Sequence, residues 1–214
     1  MKNTANGFLA IVMVVGLIVG GLILSSPKTG TAPASTSASE ATATEVKPEL
    51  LYNDDAPTIG SKDAKVKVVI FSDYLCPYCK QTSENMAKIM QENQGKVELI
   101  HRNLIVHPPQ AEILARAAEA ANLQGKFAEM DNALFEKSPE TTEEAMVNLA
   151  KELKLDENKF KNDLGSDRVK KRISQDDSDA TALGLRGTPS IFINGKPLDD
   201  PRELADAINK ELFK

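Results

Sequence analysis

The only two cysteines of this 214-residue chain stand two residues apart, in the stretch FSDYLCPYCKQT from Phe71 to Thr82. Before them, Lys65 to Ser72 (KVKVVIFS) first alternates and then runs apolar with β-branched residues, the pattern of a buried strand. After them, Cys79, Met86, Ile89 and Met90 fall near one face of a helix, and Pro77 is tolerated only in its first turn. Gly95 ends that helix, and Lys96 to Asn103 (KVELIHRN) alternates again as a second strand. Strand, helix, strand in this order predicts a parallel crossover. The cysteine pair therefore sits at a strand-to-helix turn.

Three chemistries fit a C-x-x-C pair. A structural bridge closing so short a loop removes little unfolded-state entropy. A zinc site needs two more ligands, and beyond carboxylates the chain has only His101 and His107, at a spacing that matches no ordinary finger. Redox exchange needs a thiolate, and the unpaired N–H groups and dipole of a helix start favour negative charge. There Cys76 is expected to attack with an exposed sulfur, while Cys79, one turn on, faces inward and resolves the mixed disulfide. A C-x-x-C pair in a βαβ context is the redox motif of thioredoxin-like folds.

The rest of the chain predicts a mixed α/β architecture. Thr58 to Ala64 is turn-rich. Gln110–Leu123 and Lys126–Lys137 read as helices separated by Gly125, and Ser138-Pro139 breaks the chain. Thr141 with Glu144 forms a capping-box pattern. Helical stretches follow at Asp156–Leu164 and Asp167–Leu183. Thr188 to Ile193 reads as a strand, Asn194-Gly195 as a hairpin turn, and Lys196–Leu198 as its partner. A closing helix opens at Pro201. The expectation is a mixed central sheet with helices on its faces and an inserted helical subdomain at about 110–183.

The first 49 residues differ in character. Residues 1–6 are expected to form a short cytoplasmic N-terminus. Residues 7–24 carry no charge and just reach the length that crosses a bilayer, so a transmembrane anchor is expected, or a cleaved signal sequence. Residues 25–49 are mostly Ser, Thr, Ala and Pro, with too little apolar surface to offset ordering entropy, and read as a disordered linker. The folded domain is expected at 50–214. A net charge of −5 with mixed signs leaves no basic footprint for nucleic acid.

Four stretches resemble one family. VVIFSDYLCPYC (Val68–Cys79), the run from Arg102 to Phe135, LGLRGTPSIFINGK (Leu183–Lys196) and the closing helix are similar to the DsbA-like, BdbD-like thiol–disulfide oxidoreductases of the thioredoxin-fold superfamily. They span nearly all of Leu50–Lys214. The resemblance implies Cys76 as the attacking cysteine, Cys79 as the resolving one and a redox-active Cys76–Cys79 disulfide. It implies Pro189 as a cis proline beside them, and Thr188 as the residue whose backbone meets an extended substrate segment. From spacing alone, Pro189 would equally suit a trans proline opening an edge strand. The family further implies no dissociable cofactor, reduced or misoxidised exported proteins as substrates, a quinone-linked membrane redox partner, and a catalytic domain outside the cytoplasm. A reductase or isomerase using the same cysteines is the nearest alternative, and a non-redox zinc-binding or interaction domain a more remote one.

Smaller expectations complete the reading. Asp73 either tunes proton traffic at the cysteines or simply ends the strand. Pro77 and Tyr78, between the cysteines, set redox poise or surface shape. His101 is expected to be a strand residue with a satisfied hydrogen bond, and His107-Pro108-Pro109 a turn into the insert. Met86 and Met90 are expected in the core. The acidic run Gln175–Asp179 is expected to be a solvated helix face.

Overall fold

The structure, a computed structural model, describes residues 46–214. The expected N-terminal segment, anchor and nearly all of the linker lie outside the described residues. Among the described residues, no helix is long and apolar enough to cross a membrane.

A five-stranded sheet has the order β1-β3-β2-β4-β5, formed by Thr58–Gly60 (β1), Val66–Ser72 (β2), Val97–Asn103 (β3), Ser190–Ile193 (β4) and Lys196–Leu198 (β5). β2 and β3 pair in parallel from Val66↔Val97 to Ser72↔Asn103, joined by α2 (Pro77–Glu92) as the expected crossover. β4 lies antiparallel on the other side of β2, and the β4–β5 turn places Asn194 and Gly195 at φ 48° and 81°, the double positive φ that an Asn-Gly hairpin favours. The sequence did not signal β1. Its three residues pair antiparallel with β3 and end at Gly60, where an added Cβ would sit 2.5 Å from the Val97 carbonyl oxygen. Only glycine fits so close to the neighbouring strand.

Successive side chains of β2 point to opposite faces. Val66, Val68 and Ile70 pack with Met86 and Ile89 of α2 and with Leu204 and Ile208 of α8 (Leu204–Leu212). Val69 and Phe71 pack on the other face with Leu51, Ile100, Ala180 and Phe192. Leu51 belongs to α1 (Pro48–Leu51), so ordered structure reaches back two residues into the stretch read as linker.

The insert is five helices: α3 (Gln110–Asn122), α4 (Phe127–Lys137), α5 (Glu143–Glu152), α6 (Glu157–Leu164) and α7 (Asp167–Ala182). Its core gathers alanines of α3 with Phe127, Met130, Leu134, Met146 and Phe160, and takes in Tyr74, Cys76 and Cys79 from the sheet side. The cap of α5 is Thr142, whose side chain accepts from Ala145 N, one residue past the expected Thr141. Asp156 and Ser166 cap α6 and α7 in the same way.

The acidic run on α7 is not a solvated face. Asp176 and Asp179 are buried, paired with the fully buried guanidinium of Arg102. Arg102 Nη1 also donates to the Leu50 and Leu51 carbonyls, at 3.0 and 2.9 Å. Asp176 Oδ2 accepts from Asn103 N and Nδ2, both at 2.9 Å. The helical period separates the run: residues 176 and 179 share the inner face, and Asp177 points to solvent. Removing one member of a buried ion pair leaves an uncompensated charge. Asp176→Ala should therefore lose about 3–5 kcal/mol in urea unfolding, whereas the exposed control Asp177→Ala should stay within about 0.5 kcal/mol of the parent. Equal effects from the two would refute the assignment.

Candidate active site

The turn from β2 into α2 is held by Asp73. Its carboxylate is buried. Oδ1 accepts from Leu75 N at 2.8 Å, and Oδ2 accepts from Val106 N at 2.7 Å and His107 N at 3.0 Å. The His107 ring is also 3.2 Å from Oδ2. Asp73 thus ties the cysteine turn to the segment after β3, the place where His107-Pro108-Pro109 leads into α3 as expected, with Pro108–Pro109 in cis.

Cys76 is the N-cap of α2, in extended backbone, with Pro77 in the first helical position. Its N–H donates to the Asp73 carbonyl, and its own carbonyl accepts from Cys79 N and Lys80 N. Pro77 has no N–H to satisfy, which suits this position. Tyr78 is 70% exposed, and Leu75 and Val106 are also exposed. Cys76 is only 6% exposed, in contrast to the exposed sulfur expected from the sequence. It belongs to the apolar cluster of the insert, and a segment 112 residues away also meets it: Cys76 Sγ lies 3.4 Å from the Thr188 carbonyl oxygen, to which the thiol donates. The Thr188–Pro189 peptide bond is cis.

Cys79 faces inward and is almost fully buried. Burial pushes its thiol up to about 11, against partial opposition from hydrogen bonds of the Asp73 backbone and the Ser72 and Thr188 side chains. Both cysteines are free thiols, so the structure represents the dithiol form.

Three further polar groups meet beside Cys79, and sequence reading had not assembled them. Tyr74 OH donates to Asp131 Oδ1 at 2.9 Å. The His101 ring stacks on Tyr74, with centroids 5.5 Å apart, and its Nδ1 is 3.7 Å from the same Asp131 oxygen. That is too long for a hydrogen bond, and His101 Nε2 has no partner, so His101 departs from the satisfied strand residue expected. Burial drives His101 down to about 4 and Asp131 up to about 7, the latter opposed only by the Tyr74 hydrogen bond. Asp131 carried one signal in the sequence: it lies four residues after Phe127 and three before Leu134, on the apolar face of α4. His107, half-exposed at Asp73, is not part of this group. Among the described residues, no three His, Cys, Asp or Glu side chains are grouped to hold a metal ion. Met86 lies in the core, and Met90 packs against it as a partly buried neighbour.

A family model described as thioredoxin matches residues 52–210. The chain is 31% identical over 179 residues to a probable disulfide bond formation protein D of Bacillus anthracis, covering 78% of this chain and 82% of that protein. It is 35% identical over 140 residues to a Na(+)/H(+) antiporter NhaA 3 of Salinispora tropica, a match that takes in 64% of this chain but 21% of the antiporter. The crystal structure of oxidised BdbD from Bacillus subtilis superposes with a TM-score of 0.66 at 27% identity, covering 75% of this chain and 94% of that one.

The shifted carboxyl has a measurable consequence. Asp131 is raised from an ordinary 3.8 to about 7. The unfolded chain releases this proton near pH 4 and the folded protein keeps it to about pH 7, so this group's stabilising contribution is lost as pH rises between those values. His101, lowered from 6.5 to about 4, acts in the opposite direction over a similar window. That second effect is common to parent and variant and cancels in their difference. The melting temperature of Asp131→Asn minus that of the parent should therefore increase from pH 4 to pH 7 and level off above. A pH-independent difference would show that Asp131 titrates normally.

Proposed function

The chain belongs to the thioredoxin family, in the DsbA-like, BdbD-like group of thiol–disulfide oxidoreductases, and from that premise we propose that it donates disulfide bonds to exported proteins. The observation that carries this reading is the placement of Cys76: it caps the N-terminus of α2, against the Thr188 carbonyl beside a cis proline, while Cys79 behind it is buried and held as a thiol.

In the proposed cycle the Cys76–Cys79 disulfide is the redox group. A client thiolate attacks Cys76 Sγ, the Cys76–Cys79 bond breaks, and its electron pair stays on Cys79, which takes up a proton. A second client thiolate attacks the client sulfur of the mixed disulfide. The client leaves with a disulfide, and Cys76 is released as the thiolate. Two electrons pass from client to enzyme. The helix N-terminus favours the negative charge that Cys76 carries at this stage.

Thr188 and Pro189 form the substrate-facing edge, where an extended client segment lies along the Thr188 backbone. Exposed Tyr78, with Leu75 and Val106, offers the apolar rim around it. Pro77 sets the first turn of α2. The geometry of Asp73 favours a positioning role over proton traffic, because its oxygens are occupied by backbone N–H groups of the two turns it joins.

In this reading residues 7–24 anchor the domain to a membrane, residues 25–49 hold it off the surface, and residues 50–214 work outside the cytoplasm. If residues 7–24 are cleaved, the protein is secreted. A quinone-linked membrane protein reoxidises the dithiol.

The deciding measurement is the reduction potential of Cys76/Cys79 against glutathione. A donor is expected near the DsbA value of about −120 mV, and a value near the thioredoxin level of about −270 mV would instead make the protein a reductant. The order of attack has its own check. Offered clients that already carry a disulfide, Cys79→Ser should accumulate mixed disulfides, because its Cys76 thiolate attacks the client disulfide and no second cysteine resolves the product; their absence would show that Cys76 is not the exchanging sulfur.

A further inference from the structure

A cavity of about 320 Å³ is walled by α3, α7 and the segment between α1 and β1. That is the small end of the range for ligand pockets. Two buried side chains line it, Glu119 of α3 and Arg172 of α7, and each has its partner elsewhere. Glu119 Oε1 accepts from Asn103 Nδ2 at 2.9 Å, and Arg172 Nη2 meets Asp176 Oδ1. The Arg172 side chain is only 9% exposed, yet its Nε–H has no hydrogen-bond partner. A buried donor of this kind is costly to leave unpaired, and here it belongs to the wall of an open space.

The charge balance selects the ligand. Behind the wall, the Arg102 and Arg172 guanidiniums are matched by the carboxylates of Asp176 and Asp179. Glu119 adds little to that balance, because burial pushes its carboxyl up to about 7. At the rim, exposed Arg168 and Lys171 outnumber exposed Asp55. Burial, and the Arg102 guanidinium nearby, disfavour the Arg172 cation, a cost that an anion in the cavity relieves. A metal cation would instead face the Arg172 guanidinium.

We propose that this cavity binds a small tetrahedral oxyanion of the phosphate class, which accepts from Arg172 Nε–H on one side and from the Glu119 carboxylic acid on the other, with Arg168 and Lys171 at its mouth. Guanidinium N–H groups suit phosphate oxygens in direction and charge. The bound anion joins α3, α7 and the segment after α1 through one ligand. Cys76, Cys79 and Thr188 are not among the lining residues, so the site is separate from the thiol chemistry and its failure leaves the proposed function standing.

Glu119 donates only as the acid, so binding weakens as pH rises through 7. The charged groups that act on Glu119 are Arg172 from α7, Arg102 from β3 and Asp55 from the segment after α1. Tyr74, from the turn before α2, feels the Glu119 charge in return, and Asp131 of α4 is bound to Tyr74. On the rest of α3, Glu143 of α5 pairs with Arg116, and Lys159 of α6 donates to the Leu123 carbonyl.

Sulfate is the probe, because its charge is constant across neutral pH. The full chain in a neutral detergent is titrated with sulfate against chloride of equal ionic strength. The Arg172 Nε–H resonance should shift saturably at pH 6, with an affinity about 10-fold weaker at pH 8. In Glu119→Gln the side-chain amide donates at every pH, so the two affinities should be equal. No saturable shift at pH 6 overturns the site, and a parent affinity that ignores pH overturns the two-sided grip. Arg168→Gln combined with Lys171→Gln alters only the exposed rim. It should weaken sulfate by about 5-fold or more, and an unchanged affinity would also overturn the proposal. Two arms then separate the sources of the phosphate. Soluble glycerol phosphate should shift the same resonance if the ligand is free in solution. Nanodiscs of phosphatidylglycerol, with no added anion, should shift it if the ligand is a lipid headgroup. A shift in neither arm overturns the phosphate class.

Discussion

One buried carboxylate sets the geometry on which the site depends. Asp73 accepts three backbone N–H bonds, one from its own turn and two from the segment after β3. Charge-assisted bonds of this kind are short and directional. They fix the ends of the parallel strands β2 and β3 relative to each other, and with them the start of α2 and the approach to α3. Cys76 then hydrogen-bonds back to the Asp73 carbonyl. The capping position of Cys76 follows from this clamp as much as from the helix itself.

A second constraint comes from the end of β3. His101, Arg102 and Asn103 are consecutive and all buried, because the insert covers the end of the sheet where these residues emerge. Alternation sends them to different neighbours. His101 enters the insert core beside Tyr74 and Phe127. Arg102 turns to α7 and α1. Asn103 bridges Glu119 of α3 and Asp176 of α7, at 2.9 Å to each. Sheet and insert are therefore joined through polar contacts as well as apolar ones. Those contacts specify geometry, because each buried polar group needs its partner in place.

The local rules read the fold well. Periodicity located β2, α2, β3 and the helices of the insert, and Asn194-Gly195 located the hairpin. Positions failed where the deciding partner is distant in the chain. β1 is three residues long and exists through its pairing with β3, which local propensity cannot see. Asp176 and Asp179 looked solvated because their partner, Arg102, lies more than seventy residues earlier. The low exposure of Cys76 depends in part on Thr188. Within the site, the C-x-x-C pair and the proline loop were legible. Asp131 was visible only as an acid on an apolar helix face, with nothing to say that it meets Cys79 across a cavity.

The separation of Cys76 from Thr188 also orders events during synthesis. Chains fold from the N-terminus as they emerge, and contacts distant in sequence close late. β2 and β3 can pair, and α2 can form, while β4 has not yet been made. Until then one side of β2 lacks its neighbour, and Cys76 lacks the carbonyl that meets it. The nascent protein thus passes through a stage in which its thiols are complete but unguarded, open to whatever oxidant or sulfur compound is nearby. The site is closed only when β4 docks on β2, a step that waits for a segment made more than a hundred residues after the cysteines.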